Sequence, residues 1–181
     1  MSPPGKKLGK ISAAATGKRH AKDLAVKLSA LSAESLVVQC SHNVRDARLP
    51  YGDTIVLDIS DPWPGAWGEY ELRRIAVALY ISIRMIYNGH DVLFVCDGGN
   101  RSSLLAHSAA GISGVEIDVP KPEDDRMWPL IEAACKVQPC TPLTWNEFET
   151  ALIDNLLSLA PFPKPERKKR VRYSPNACAA P

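Results

Sequence analysis

The residues from Cys96 to Ser103 read CDGGNRSS, and they follow the apolar run VLFV (92–95). A thiol, two glycines, a guanidinium and two hydroxyls within eight residues suit the handling of an oxyanion. Successive backbone N–H groups of Asp97, Gly98, Gly99 and Asn100 in a glycine turn make a concave anion site, and a helix N-terminus behind them reinforces it. The field that holds an anion there also favours thiolate, the nucleophilic form of cysteine. Arg101 adds a planar fork able to grip two oxygens at once, which lysine cannot do. Ser102 is placed to donate a hydrogen bond to the sulfur or to a departing group. The alternative is a small buried thiol at the end of an ordinary strand.

Such a loop needs a strand that delivers Cys96 and a helix that starts near Arg101. Val92–Val95 fits a buried strand, and Arg101 to Ala110 a helix that Gly111 is placed to close. Upstream, Glu69 to Tyr87 places Leu72, Ile75, Ala76, Leu79, Ile83 and Ile86 at helical spacing, and Asn88-Gly89 stops it. TIVLDIS (54–60) reads as a further buried strand, and VEIDV (115–119) as a strand or an extended loop. Two helices follow, one around Trp128–Cys135. The other is capped by Thr144 with Glu147 closing a capping box and Leu143 stapled on Phe148. Strands separated by long helices predict an α/β domain: a mostly parallel central sheet flanked by helices. In such sheets, sites gather beyond the carboxyl ends of the strands, where Cys96 stands.

The 181 residues give room for one domain between basic ends. Net charge is only +2, yet residues 1–27 hold seven Lys/Arg against one Asp, and 164–172 hold six against one Glu. The two ends together carry +11 and the middle of the chain −9. Residues 1–32 read as a mobile basic arm with a short helix around Ala21–Leu31, 33–160 as the α/β domain, and 161–181 as a proline-bounded basic tail. Such arms gain affinity for nucleic acid or an acidic partner by counterion release, without reading sequence. Five cysteines without a C-x-x-C pair fit reduced thiols. With no secretory leader and no apolar span, the chain is expected to be intracellular, cytoplasmic or nuclear, and to make no membrane contact. No metal constellation or cofactor motif is evident, and none is expected.

The order VLFVC…G…RS followed by a helix resembles the phosphate-binding loop of the cysteine-dependent phosphatases. The wider layout, over about residues 35–158, is similar to their dual-specificity branch. That resemblance implies hydrolysis of phosphate monoesters (a phosphoprotein or an RNA 5′-phosphate) through a phosphocysteine on Cys96. It also implies an aspartic acid, on a loop some tens of residues upstream, that protonates the leaving oxygen. Asp61 in SDPWPGAW is placed for this, 35 residues before Cys96, with Trp63 and Trp67 lining a cleft or anchoring the loop. Asp58 falls within the strand run, as a structural acceptor. His107, in the helix after the loop, is expected to be a packing residue.

Three features depart from the phosphatase pattern. Four residues separate Cys96 from Arg101 where the family has five, Val95 stands where a histidine is usual, and Asp97 sets a carboxylate beside the cradle. The shorter spacing is similar to the active loop of rhodanese-type sulfurtransferases, which implies a Cys96 persulfide. A third reading is a catalytically weak phosphatase-like module that binds phosphorylated partners or nucleic acid.

Overall fold

The computed structural model describes residues 7–40, 54–59, 68–137 and 144–160. Among the described residues, four parallel strands form one sheet in the order β1-β4-β2-β3: β1 (Ile11–Ala15), β2 (Leu36–Gln39), β3 (Ile55–Asp58) and β4 (Val92–Cys96). The helices are α1 (Ala21–Ser29), α2 (Glu69–Tyr87), α3 (Asn100–Ser113), α4 (Trp128–Cys135) and α5 (Trp145–Leu157). A parallel pair needs a long crossover; α1 lies on the one from β1 to β2 and α2 on the one from β3 to β4, while the link from β2 to β3 lies outside the described residues. The larger core lies between the sheet and α2 to α5, and contains Phe94, Leu79, Leu104 and Phe148. The smaller joins Ala14, Val37, Leu93 and Val95 to Leu24 of α1. The expected α/β class, with a parallel sheet flanked by helices, is what the chain adopts.

β4 is central and wholly buried, as its unbroken apolar run requires. All six α2 positions read from helical spacing are buried. Gly89, at φ +88°, turns the chain out of α2 toward β4. At the start of α5 the capping box is formed: Thr144 N–H donates to Glu147 Oε2 (2.7 Å), and Thr144 Oγ1 accepts from the Glu147 N–H (3.3 Å). The Thr144 N–H first, and then its hydroxyl donating to the same Oε2 at 2.9 Å, hold the Glu147 carboxyl below the usual carboxylate range. Leu143, its expected staple, lies outside the described residues.

Three expectations are corrected. The arm drawn at 1–32 contains β1, paired in register with β4 from Ile11–Val92 to Ala15–Cys96. Its alanines conceal a strand because they carry little β propensity, yet this edge packs closely on α3, where small side chains fit. The helix expected within the same segment is present as α1. TIVLDIS is a strand, but an edge strand: Ile55 is 53% exposed and Val56 42%. A β-branched run specifies pairing and not position in the sheet. Of the two alternatives for VEIDV, a strand or an extended loop, the structure has the loop. Gly111 does not end α3, which continues to Ser113 and is closed by Gly114 at φ +73°. Gly111 serves packing instead, since a Cβ there would lie 2.3 Å from Cys135 Sγ of α4. The tail at 161–181 lies outside the described residues.

Candidate active site

Cys96 is the last residue of β4, and α3 begins four residues later at Asn100. Gly99 makes that short link possible: it takes φ +90° at the helix N-cap, a conformation that costs glycine least. The turn brings two backbone N–H groups onto the sulfur, with Gly99 N at 3.1 Å and Ser102 N at 3.3 Å. The Cys96 thiol also meets Ser102 Oγ at 3.3 Å, and that hydroxyl donates to the Gly99 carbonyl at 3.0 Å. Cys96 and Ser102 are each only 1% exposed. The cysteine thus lies in the larger core, with its sulfur accepting from two N–H groups of the turn and contacting the Ser102 hydroxyl.

Arg101 occupies the first turn of α3, its side chain 16% exposed. It borders a cleft on the α2 side with Glu71, Arg74, Ile75, Cys40 and Ile59. Arg74 and Glu71 join it because α2 begins beside the ends of β2 and β3; Glu71 itself accepts from the Gly68 N–H at 2.8 Å. Neither residue stood out in the sequence. Gly98 has open space where a side chain would stand. Asn100 turns its amide outward, Oδ1 accepting from the Glu123 N–H at 2.8 Å, so its side chain fastens the neighbouring segment. His107 acts alike, with Nε2 3.1 Å from the Val119 carbonyl oxygen, in keeping with a packing residue.

Two strands beside β4 complete the surroundings. Cys40 follows the Gln39–Val95 register pair by one residue, so it stands next to Cys96 across the sheet. Its N–H donates to the Val95 carbonyl at 2.8 Å, and its thiol to the same oxygen at 3.1 Å. Burial first, then the neighbouring Cys96, pushes the Cys40 thiol well above its ordinary range. On the other side, Thr16 N–H donates to the Cys96 carbonyl at 2.9 Å. Its hydroxyl donates to Asp97 Oδ1 at 3.1 Å. The second Asp97 oxygen is 3.9 Å from an Arg101 terminal nitrogen. Neither Thr16 nor Cys40 is legible as a site neighbour in sequence, because register between strands 55 to 81 residues apart is a tertiary property.

The sequence-derived candidates Cys96, Asp97, Gly98, Gly99, Asn100, Arg101 and Ser102 thus form one loop. Asp61, with Trp63 and Trp67, lies outside the described residues. Among the described residues, no group of three or more His, Cys, Asp or Glu could hold a metal, and no helix is long and apolar enough to cross a membrane.

No protein-family model matches the sequence, and no curated protein does. Among solved structures, the chain is similar to one described as the crystal structure of Tk-PTP in the active form. The two are 17% identical, the alignment covers 86% of this chain and 97% of the other, and the TM-score is 0.41. At that level of likeness, a functional reading depends on the chemistry of the chain's own loop.

Proposed function

We propose that the protein is a cysteine-dependent phosphatase of dual-specificity type, hydrolysing phosphate monoesters through a phosphocysteine. The observation that carries this reading is the pair of loop N–H groups on Cys96 Sγ with Arg101 in the following turn. Cys96 Sγ attacks phosphorus while the P–O bond to the leaving group breaks. The loop amides and the Arg101 fork neutralise charge on the equatorial oxygens. Asp61 donates the proton that the leaving oxygen needs, then takes one from the water that opens the S–P bond. The substrates we assign are a phosphoprotein or an RNA 5′-phosphate, in an intracellular setting, cytoplasmic or nuclear. The basic ends would hold nucleic acid or an acidic partner through salt-sensitive contacts.

The test is release of phosphate from para-nitrophenyl phosphate. Cys96→Ser should abolish turnover, and Arg101→Lys should cost most of the rate, since a point charge does not replace a fork. The four-residue spacing supports a second reading, a sulfurtransferase that carries sulfur as a Cys96 persulfide. Thiocyanate formed from thiosulfate and cyanide, with no phosphate release, would decide for it. Phosphate binding with neither activity would leave a binding module.

A further inference from the structure

We infer that Glu123 is a specificity-determining residue of the cysteine loop: its carboxylate meets a basic side chain that flanks the phosphorylated residue of a peptide. This rests on the phosphatase reading and narrows its substrate to a phosphoprotein.

A cavity of about 400 Å³ adjoins the loop on its α1 side, distinct from the cleft that Arg101 borders toward α2. Gly98 lies at its border with the loop and leaves open space there. Its walls are α1 and the segment before α4, and that second wall is pinned to α3 at three places. The Glu123 N–H donates to Asn100 Oδ1 at 2.8 Å, Ser103 Oγ donates to the Pro120 carbonyl, and His107 Nε2 stands 3.1 Å from the Val119 carbonyl oxygen. Asn100, Ser103 and His107 share one helix face. Asn100 immediately precedes Arg101, so the first of these bonds fixes Glu123 beside the loop itself.

Five ionisable side chains line the cavity, and they are not equally engaged. Lys27 pairs with Asp23 at 2.8 Å and donates to the Ala13 carbonyl at 2.7 Å. Lys121 lies over the Trp128 ring, 5.7 Å from its centroid. His20 is exposed at the start of α1. Glu123 is exposed too, and its carboxylate makes no ion pair or hydrogen bond among the described residues. Residues 115–126 hold five acidic residues against Lys121 and Arg126, so the surrounding charge reinforces a preference for a cation. An acidic wall repels a phosphodiester chain, and no Phe, Tyr or Trp lines the cavity to stack a base. A peptide with a basic residue near its phosphorylated one meets neither obstacle.

The test uses the full chain and phosphotyrosine peptides that carry a single Arg, Ala or Glu at one of the two positions on either side. Values of kcat/KM are measured for wild type, Glu123→Gln and Glu123→Lys. Wild type should favour Arg over Glu about fivefold at one of these positions, the scale of an exposed charge contact. Glu123→Gln should bring that ratio to within about twofold of unity, and Glu123→Lys should invert it. A merely structural role for Glu123 would lower every peptide alike and leave the ratio unchanged, which overturns the proposal. So does a wild type that leaves the peptides intact, does not distinguish Arg from Glu, or hydrolyses a 5′-phosphorylated trinucleotide faster than every peptide. Phosphate released from para-nitrophenyl phosphate alongside such a result keeps the phosphatase reading while the subsite falls. No release from any substrate refutes both.

Discussion

Gly9→Ala tests whether the N-terminal segment belongs to the fold. The backbone of Gly9 passes so close to the chain after α2 that a Cβ would stand 1.8 Å from the His90 carbonyl oxygen and 2.4 Å from its carbon. Both are main-chain atoms, so no rotamer change relieves the overlap. Ordinary contact requires the strand entry to retreat by roughly 2 Å. That movement breaks the Gly9 N–H bond to the Ile86 carbonyl, now 2.9 Å, and strains the Lys10 N–H bond to Asp91 Oδ1, now 2.7 Å. Overpacking costs about 1–3 kcal/mol and each lost backbone bond about 1 kcal/mol. The expected destabilisation is therefore about 2–4 kcal/mol. In urea, with a slope of about 2 kcal/mol per molar, the midpoint should fall by about 1–2 M. The sign is diagnostic, because in a mobile arm the substitution has no folded contact to disturb. At an unstrained folded position, Ala in place of Gly would stabilise by about 0.4–1 kcal/mol through the unfolded chain. An unchanged or raised midpoint would refute the close approach and, with it, the docking of β1.

Two further predictions concern the packing behind the loop. Gly111→Ala should destabilise by about 1–2 kcal/mol, overlap with Cys135 Sγ outweighing the helix-propensity gain. In a Cys135→Ala background the nearest remaining side-chain atom is Cβ at 3.5 Å, so Gly111→Ala should stabilise there; the same sign in both backgrounds by urea unfolding would disprove the contact. Burial raises the folded-state affinity of Cys40 for its proton, so its contribution to stability is complete below the unfolded value of about 8.5 and is lost as pH climbs toward the folded one. The alkaline loss should reach about 1.4 kcal/mol per pH unit from this thiol, and Cys40→Ala should lack that part of it between pH 8 and 10 under reductant. An identical alkaline slope in both proteins would count against the assignment.

What was legible in the sequence had a local cause. The capping box of α5 is a contact across three residues, and the apolar face of α2 follows from helical period alone. The cysteine loop was legible because its glycine, its cysteine and the helix after it are consecutive. β1 was hidden because Ala13, Ala14 and Ala15 are chosen for close packing and not for strand propensity. Gly111 read as a helix end because glycine usually breaks helices, while its cause lies on another helix. Thr16, Arg74 and Cys40 became site neighbours only through sheet order and register, which no short window of sequence contains.

The spacing between Cys96 and Arg101 then acquires a physical meaning. A loop with one residue fewer has less freedom to aim its N–H groups, so its shape must be imposed from outside. β1 holds the Cys96 carbonyl and the Asp97 carboxylate through Thr16, and β2 holds the Val95 carbonyl through the Cys40 N–H and thiol. On the third side, the segment before α4 is fastened to α3: the Glu123 N–H donates to Asn100, and Ser103 donates to the Pro120 carbonyl. The loop is thus supported by two neighbouring strands and one extended segment, each remote in sequence. Two of its N–H groups still converge on one sulfur under that restraint. Loosening either strand should therefore misplace the donors before it unfolds the domain, and a count of residues between cysteine and arginine is a poor guide to whether the cradle forms.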